Sequence, residues 1–145
     1  MPMREFALTG RHNYYNAMAA GIATKLLGVR KEIIRESLQD FKSLEHRMEY
    51  VLTIRGIEFI NDSKATNINS AWFALESMSK DVIWIAGGKD KGNDYEELKG
   101  LVGKKVKAII CLGVDNEKLH HAFANEVGYI VDTQNMNEAV RMAYN

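Results

Sequence analysis

The sequence predicts an α/β fold: a mostly parallel sheet with helices on both faces and an N-terminal β-hairpin, preceded by a short helical segment. Three observations carry this reading. Val82–Ala86, Ala108–Leu112 and Tyr129–Val131 are short apolar runs, as strands buried on both faces require. Helix-patterned stretches alternate with those runs, the order that produces parallel, right-handed crossovers. The residues before Ser43 show helical periodicity only, so a boundary is expected near Ser43, between a segment 1–43 and an α/β domain 44–145.

The elements follow in order. Asn13 or Asn16 can cap a first helix through Ala17, Met18, Ala19, Ala20, Ile22 and Ala23, and Gly28 stops it. Ile33, Ile34, Leu38 and Phe41 then repeat at the spacing of an amphipathic helix. From Arg47 the period falls to two, with Met48, Tyr50, Leu52 and Ile54 alternating with other residues. Gly56 turns the chain into Ile57–Ile60, which reads as a hairpin. Helices are expected over about Ile68–Met78, Tyr95–Leu101, Glu117–Asn125 and Met136–Tyr144. The chain stops at Asn145 without a capping signal, so the natural protein is expected to continue.

Composition excludes several function classes. Lys+Arg 19 and Asp+Glu 19 cancel, which leaves no general basic surface for nucleic acid or anionic lipid. No apolar run approaches the ~20 residues of a membrane span, and the start Met1–Phe6 lacks the apolar centre of a signal peptide. The single cysteine, Cys111, lies in an apolar strand and reads as an inert core thiol in a reducing compartment. A cytoplasmic location is the default expectation.

Two polar clusters sit just after strands and before helices: Asn61-Asp62-Ser63-Lys64-Ala65-Thr66-Asn67 and Gly87-Gly88-Lys89-Asp90-Lys91-Gly92-Asn93-Asp94. Helix N-termini favour anions, Lys64, Lys89 and Lys91 add charge, and ligands of open parallel sheets collect at strand ends. Both clusters are expected to point into one crevice that takes phosphate or carboxylate. Local alternatives stand beside this. Asp62 can order its own turn, Ser63, Thr66 or Asn67 can cap the next helix, and Gly87-Gly88 can be a solvated connection. Neither the Walker spacing nor the G-x-G-x-x-G fingerprint is present. Arg47 can meet a phosphate with two hydrogen bonds or form a surface ion pair. His120 and His121 are adjacent on a helix and point different ways. With no cysteine or carboxylate at ligand spacing in the sequence, no metal site is expected there.

The succession Gly10-Arg11-His12-Asn13-Tyr14-Tyr15-Asn16, His46-Arg47-Met48-Glu49, Asn61-Asp62-Ser63-Lys64-Ala65-Thr66-Asn67 and Gly87-Gly88-Lys89-Asp90-Lys91-Gly92 resembles the Mur ligases. The Asp62-Ser63-Lys64-Ala65-Thr66-Asn67 element resembles the D-glutamate-adding branch of that family. The resemblance covers nearly the whole chain. It implies that 1–43 is the helical tail of a central ATPase domain and 44–145 most of a Rossmann-like C-terminal ligase domain, truncated at its C-terminus.

The activity so implied is ATP-dependent addition of D-glutamate to UDP-N-acetylmuramoyl-L-alanine through an acyl phosphate, in peptidoglycan precursor synthesis. By the same resemblance, Asn16 contacts adenine, Asp62 binds the ribose hydroxyls, and Arg47 and Lys64 lie near the ribose–phosphate end. Thr66 and Lys91 hold D-glutamate, and Lys64 and Lys91 are the catalytic cations. His12 and Asn13 match the motif without an assigned contact. ATP and Mg2+ serve the full enzyme, which is expected to be monomeric. The nucleotide loop and the magnesium ligands of the family have no match in this chain, so the chain alone is expected to be inactive. Another ligase of the superfamily, such as the folylpolyglutamate type, is the first alternative. A non-catalytic Rossmann-like module that senses a nucleotide is the second.

Overall fold

The computed structural model describes residues 11–41, 44–88 and 92–145, the side chains of Arg11 and His12 excepted. The chain forms two compact units, Met1–Thr66 and Asn67–Asn145.

The first unit contains α1 (Arg11–Leu26), α2 (Lys31–Asp40), β1 (Glu49–Ile54) and β2 (Ile57–Asn61). Helix α1 ends as Gly28 predicts. Gly28 sits at φ 78°, its N–H donates to Lys25 O at 3.0 Å, and Val29 N–H donates to Thr24 O at 3.1 Å. This paired pattern satisfies carbonyls that the last helical turn leaves open, and the left-handed φ suits a glycine. Because α1 starts at Arg11, Asn13 and Asn16 both lie within the helix, and the capping role expected for one of them is corrected. Ala17 and Gly21 of α1 line a shallow groove with Ile34 and Leu38 of α2. Ile33 and Phe41 are exposed, so the predicted apolar face of α2 is used only in part.

Strands β1 and β2 pair antiparallel from Glu49↔Asn61 to Ile54↔Ile57. Arg55 and Gly56, at φ 50° and 84°, form the two-residue turn, the geometry that matches strand twist. A bulge interrupts the pairing between Tyr50 and Leu52. The hairpin is a separate sheet among the described residues, not a strand pair of the parallel sheet. This corrects the expectation that Asp62 and Lys64 end a strand of that sheet.

The second unit is α3 (Ile68–Ser77), β3 (Val82–Gly87), α4 (Glu96–Lys105), β4 (Val106–Leu112), α5 (Glu117–Phe123), β5 (Tyr129–Thr133) and α6 (Met136–Tyr144). The sheet is parallel with order β3-β4-β5. Asn67 caps α3 by accepting from Ser70 N–H at 2.9 Å, and Asn135 caps α6 by accepting from Glu138 N–H at 3.0 Å. Ile109 and Cys111 of β4 point to one face, where Leu98 and Val102 of α4, Leu119 and Phe123 of α5, and Leu75 of α3 complete the core. Phe123 meets Trp84 and Tyr95 edge-on, with ring centroids 5.9 and 5.6 Å away. By strand alternation Ile110 points to the opposite face, where α6 packs across the three strands. Helices therefore cover both faces, as predicted.

Helix α4 runs on to Lys105, past the expected end at Leu101, because Leu98 and Val102, four apart, are both fully buried. Lys104 and Lys105 in its last turn suit the negative end of the helix dipole.

Candidate functional site

The open end of the hairpin ties two of the sequence clusters together. Pairing of Glu49 with Asn61 brings His46-Arg47-Met48-Glu49 beside Asn61-Asp62-Ser63-Lys64. Asp62 Oδ1 accepts from Met48 N–H at 3.0 Å, and Lys64 N–H donates to His46 O at 3.1 Å. Asn61 Nδ2 lies 2.7 Å from His46 Nδ1, and Glu49 Oε2 accepts from His46 N–H at 2.9 Å. Asn61 Oδ1 accepts from Ser63 N–H at 3.1 Å, and Ala65 N–H donates to Asp62 O at 2.8 Å. His46 and Met48 both adopt left-handed backbone, φ 64° and 47°. Non-glycine residues pay on the order of 1–3 kcal/mol for such conformations, which persist where surrounding bonds enforce them and cluster at functional sites. Here the bonds from Asp62 and Lys64 do so. The result fixes the backbone under Arg47 and Lys64, whose side chains are exposed, as is that of Thr66.

In the second unit, the carboxyl ends of β4 and β5 open into a cleft of about 890 Å³ lined by Gly113, Asp115, Asn116, His120, Asp132 and Thr133, among others. Asp132 Oδ1 accepts from His120 Nε2 at 3.0 Å and from Asn116 Nδ2 at 2.9 Å. The His120 hydrogen bond, with help from Asn116, holds the Asp132 carboxyl below its ordinary range. Asn116 Nδ2 also donates to Gly113 O at 3.1 Å, yet its buried Oδ1 finds no partner among the described residues. An unsatisfied buried acceptor costs about 1–3 kcal/mol. Beneath it, burial pushes the Cys111 thiol up to about 11. Cys111, His120 and Asp132 place one donor atom each within 4.8 Å of one another.

A family model described as "Mur ligase, glutamate ligase domain" matches residues 46–145. The chain belongs to that family. Among curated Mur ligases, the UDP-N-acetylmuramoylalanine--D-glutamate ligase of Christiangramia forsetii is 57% identical over 144 residues, covering 99% of this chain and 32% of that protein. The ligase of the same name from Bacteroides thetaiotaomicron is 55% identical over 146 residues, 99% of this chain and 33% of that protein. That of Porphyromonas gingivalis is 54% identical over 138 residues, 95% and 31%. The chain thus spans about a third of the length of the curated relatives it matches. Among solved structures, MurF from Acinetobacter baumannii aligns with a TM-score of 0.71 over 97% of this chain and 32% of that one, at 21% identity, a likeness of fold.

Within this Mur ligase chain, the structure brings Arg47, Asp62 and Lys64 into one local arrangement, with Thr66 two residues on. Asn16 lies on an exposed position of α1. Lys91, with Lys89 and Asp90, falls outside the described residues, and so does the side chain of His12. The sequence reading missed the Asn116–His120–Asp132 cluster. It also discounted a metal at His120 because no cysteine or carboxylate stood at ligand spacing, and the fold supplies both from neighbouring strands. One signal was available: Asp132 is a lone carboxylate directly after the apolar run Tyr129–Val131, at the carboxyl end of a predicted strand.

Proposed function

We propose that this chain is the D-glutamate-accepting part of an ATP-dependent ligase that joins D-glutamate to UDP-N-acetylmuramoyl-L-alanine for peptidoglycan synthesis in the cytoplasm. The observation that carries the reading is the bonding of His46-Arg47-Met48-Glu49 to Asp62-Ser63-Lys64, in a chain 57% identical to a ligase bearing that name. The domain limits proposed are 1–43 for the tail of a central ATPase domain and 44–145 for the ligase domain. The family match beginning at 46 supports them. The full-length enzyme is proposed to be a monomer. No helix among the described residues is long and apolar enough to cross a membrane.

In the reaction proposed, the substrate's terminal carboxylate takes the terminal phosphoryl group of ATP. The amine of D-glutamate attacks the acyl phosphate, and the tetrahedral intermediate releases inorganic phosphate as the amide forms. Such catalysis rests on positioning and on cations set against developing negative charge. Asn16 meets adenine and Asp62 the ribose hydroxyls. Arg47 and Lys64 face the ribose–phosphate end, and Thr66 and Lys91 hold D-glutamate. The backbone bonds at Met48 and Lys64 serve this task by limiting how far the two cations wander. Magnesium does not fit this arrangement. Its donors are two cations and a carboxylate already accepting from a backbone N–H, whereas Mg2+ asks for oxygen ligands.

The isolated chain is proposed to have no ligase activity, because it supplies only part of each binding site. The test is steady-state kinetics of the complete ligase. Lys91→Ala and Thr66→Ala should raise the KM for D-glutamate and leave that for ATP in place. Lys64→Ala should lower kcat. A Lys91→Ala enzyme in which only the ATP KM moves would overturn the assignment, as would amide formation by the 145-residue chain alone.

A further inference from the structure

We propose that Cys111, His120 and Asp132 form a binding site for a borderline-soft divalent cation of the zinc class, with the Asn116 carboxamide oxygen or a water as fourth ligand. The donors come from three elements, β4, α5 and β5, and their ligand atoms lie within 4.8 Å of one another. Tetrahedral zinc with bonds of about 2.0–2.3 Å needs donors separated by roughly 3.3–3.8 Å. The His120–Asp132 pair at 3.0 Å therefore opens slightly, and the other separations, 4.8 Å at most, close by no more than about 1–1.5 Å. The independent observation is Asn116. It is 7% exposed, its Nδ2 fixes it to Gly113 O and Asp132, and its Oδ1 is left without a partner beside the same cluster. A bound cation would satisfy that oxygen.

The cleft offers a route, since the side chains of Asp132 and His120 are 58% and 36% exposed while Cys111 is closed off beneath them. Asp115, Glu117 and Glu138 on its walls draw in positive charge. A thiolate together with an imidazole selects zinc over magnesium, so this ion is distinct from the one that accompanies ATP.

Binding replaces the His120–Asp132 hydrogen bond with two coordinate bonds. The imidazole proton moves from Nε2 to Nδ1, and the thiol proton of Cys111 leaves to solvent as the sulfur–metal bond forms. One proton is thus released per ion, and affinity should climb about tenfold per pH unit through the neutral and mildly alkaline range.

Cobalt(II) titration of the 145-residue chain tests this, followed by zinc competition. The expected result is a near-ultraviolet thiolate-to-cobalt charge-transfer band that zinc abolishes. Cys111→Ser should remove the band. Asp132→Asn, which keeps an oxygen to accept from Asn116, should weaken zinc binding by more than about tenfold. His121→Ala should leave both unchanged. If circular dichroism shows that Cys111→Ser does not fold, the Asp132→Asn affinity and the pH slope decide. No band, a band that survives Cys111→Ser, or an unchanged affinity in Asp132→Asn would each overturn the proposal.

Discussion

Gly87 should not tolerate a methyl group, and the reason lies in the backbone of the neighbouring strand. It ends β3 directly opposite Leu112 of β4. A Cβ built on Gly87 would overlap the Leu112 carbonyl oxygen, and would stand 2.7 Å from its carbonyl carbon and 2.9 Å from its nitrogen. All three are main-chain atoms, so no rotamer change relieves the clash. The strands must part at their carboxyl ends, which breaks the Gly88 N–H to Leu112 O hydrogen bond of 3.1 Å.

Forced overpacking costs about 1–3 kcal/mol and the lost hydrogen bond about 0.5–1.5 kcal/mol, so Gly87→Ala should destabilise by roughly 3 kcal/mol. In a unit of this size, that is on the order of 12–24 °C in Tm. Gly100→Ala is the comparison. It lies inside α4 with open space around its Cβ position and should stabilise by about 0.5–1 kcal/mol. Thermal and urea unfolding of the 145-residue chain, followed by circular dichroism, measures both. A Gly87→Ala midpoint within a degree or two of the parent would refute the close approach of β3 and β4, and with it the account of how these strand ends are held.

Lys105 Nζ donates to Glu76 O and Met78 O, each at 2.6 Å, closing the carboxyl end of α3. Lys105→Met should cost about 1–3 kcal/mol by urea unfolding, and Lys105→Arg should recover part of it. Asp62→Ala frees the left-handed Met48 amide and should destabilise by about 1–2 kcal/mol, with faster exchange of the Met48 N–H by NMR, while Asp62→Asn retains an acceptor and should show less of both. Asp132 has its pKa lowered in the folded state, so its contribution is complete above the ordinary carboxylate pKa of about 4 and is lost as pH falls through the folded value. The carboxylate is largely solvent-facing, which limits the effect to less than about 1 kcal/mol. Asp132→Asn should flatten the acid limb of a Tm-against-pH curve by that amount.

The parallel strands were readable from their uninterrupted apolar runs, one in Val82–Gly87 and one in Val106–Leu112. Burial on both faces holds for β4, with Ile109, Ile110 and Cys111 buried, and not for β3, where Ile83 is exposed. Gly28 and Gly56 marked their turns for a steric reason, since both sit at positive φ. The end of α4 was not readable. Val102-Gly103-Lys104-Lys105 has the local look of a turn, and only the burial of Val102 against the sheet keeps it helical. Nor could alternation in β1 and β2 reveal that the hairpin stands as its own sheet. Periodicity shows that two faces differ, not which strand lies alongside.

The candidate site divides along the same line. At the hairpin the two readings of Asp62, a residue that orders its turn and a residue that serves a ligand, are not rivals. Its Oδ1 holds the Met48 amide 14 residues back, and that bond fixes the segment carrying Arg47. The linkage follows from the register Glu49↔Asn61, which the Arg55-Gly56 turn sets only together with the bulge between Tyr50 and Leu52. The approach of those motifs, though not their residue-by-residue pairing, was therefore implicit in the sequence. The Asn116–His120–Asp132 cluster was not. His120 and Asp132 meet across 12 residues because α5 returns the chain to lay β5 beside β4, and Cys111 enters from the adjoining strand. Ligand-spacing rules search along one helix or one loop. A set assembled by parallel crossovers takes its donors from strand ends at separations fixed by helix length, so the fold must be known before the cluster can be seen.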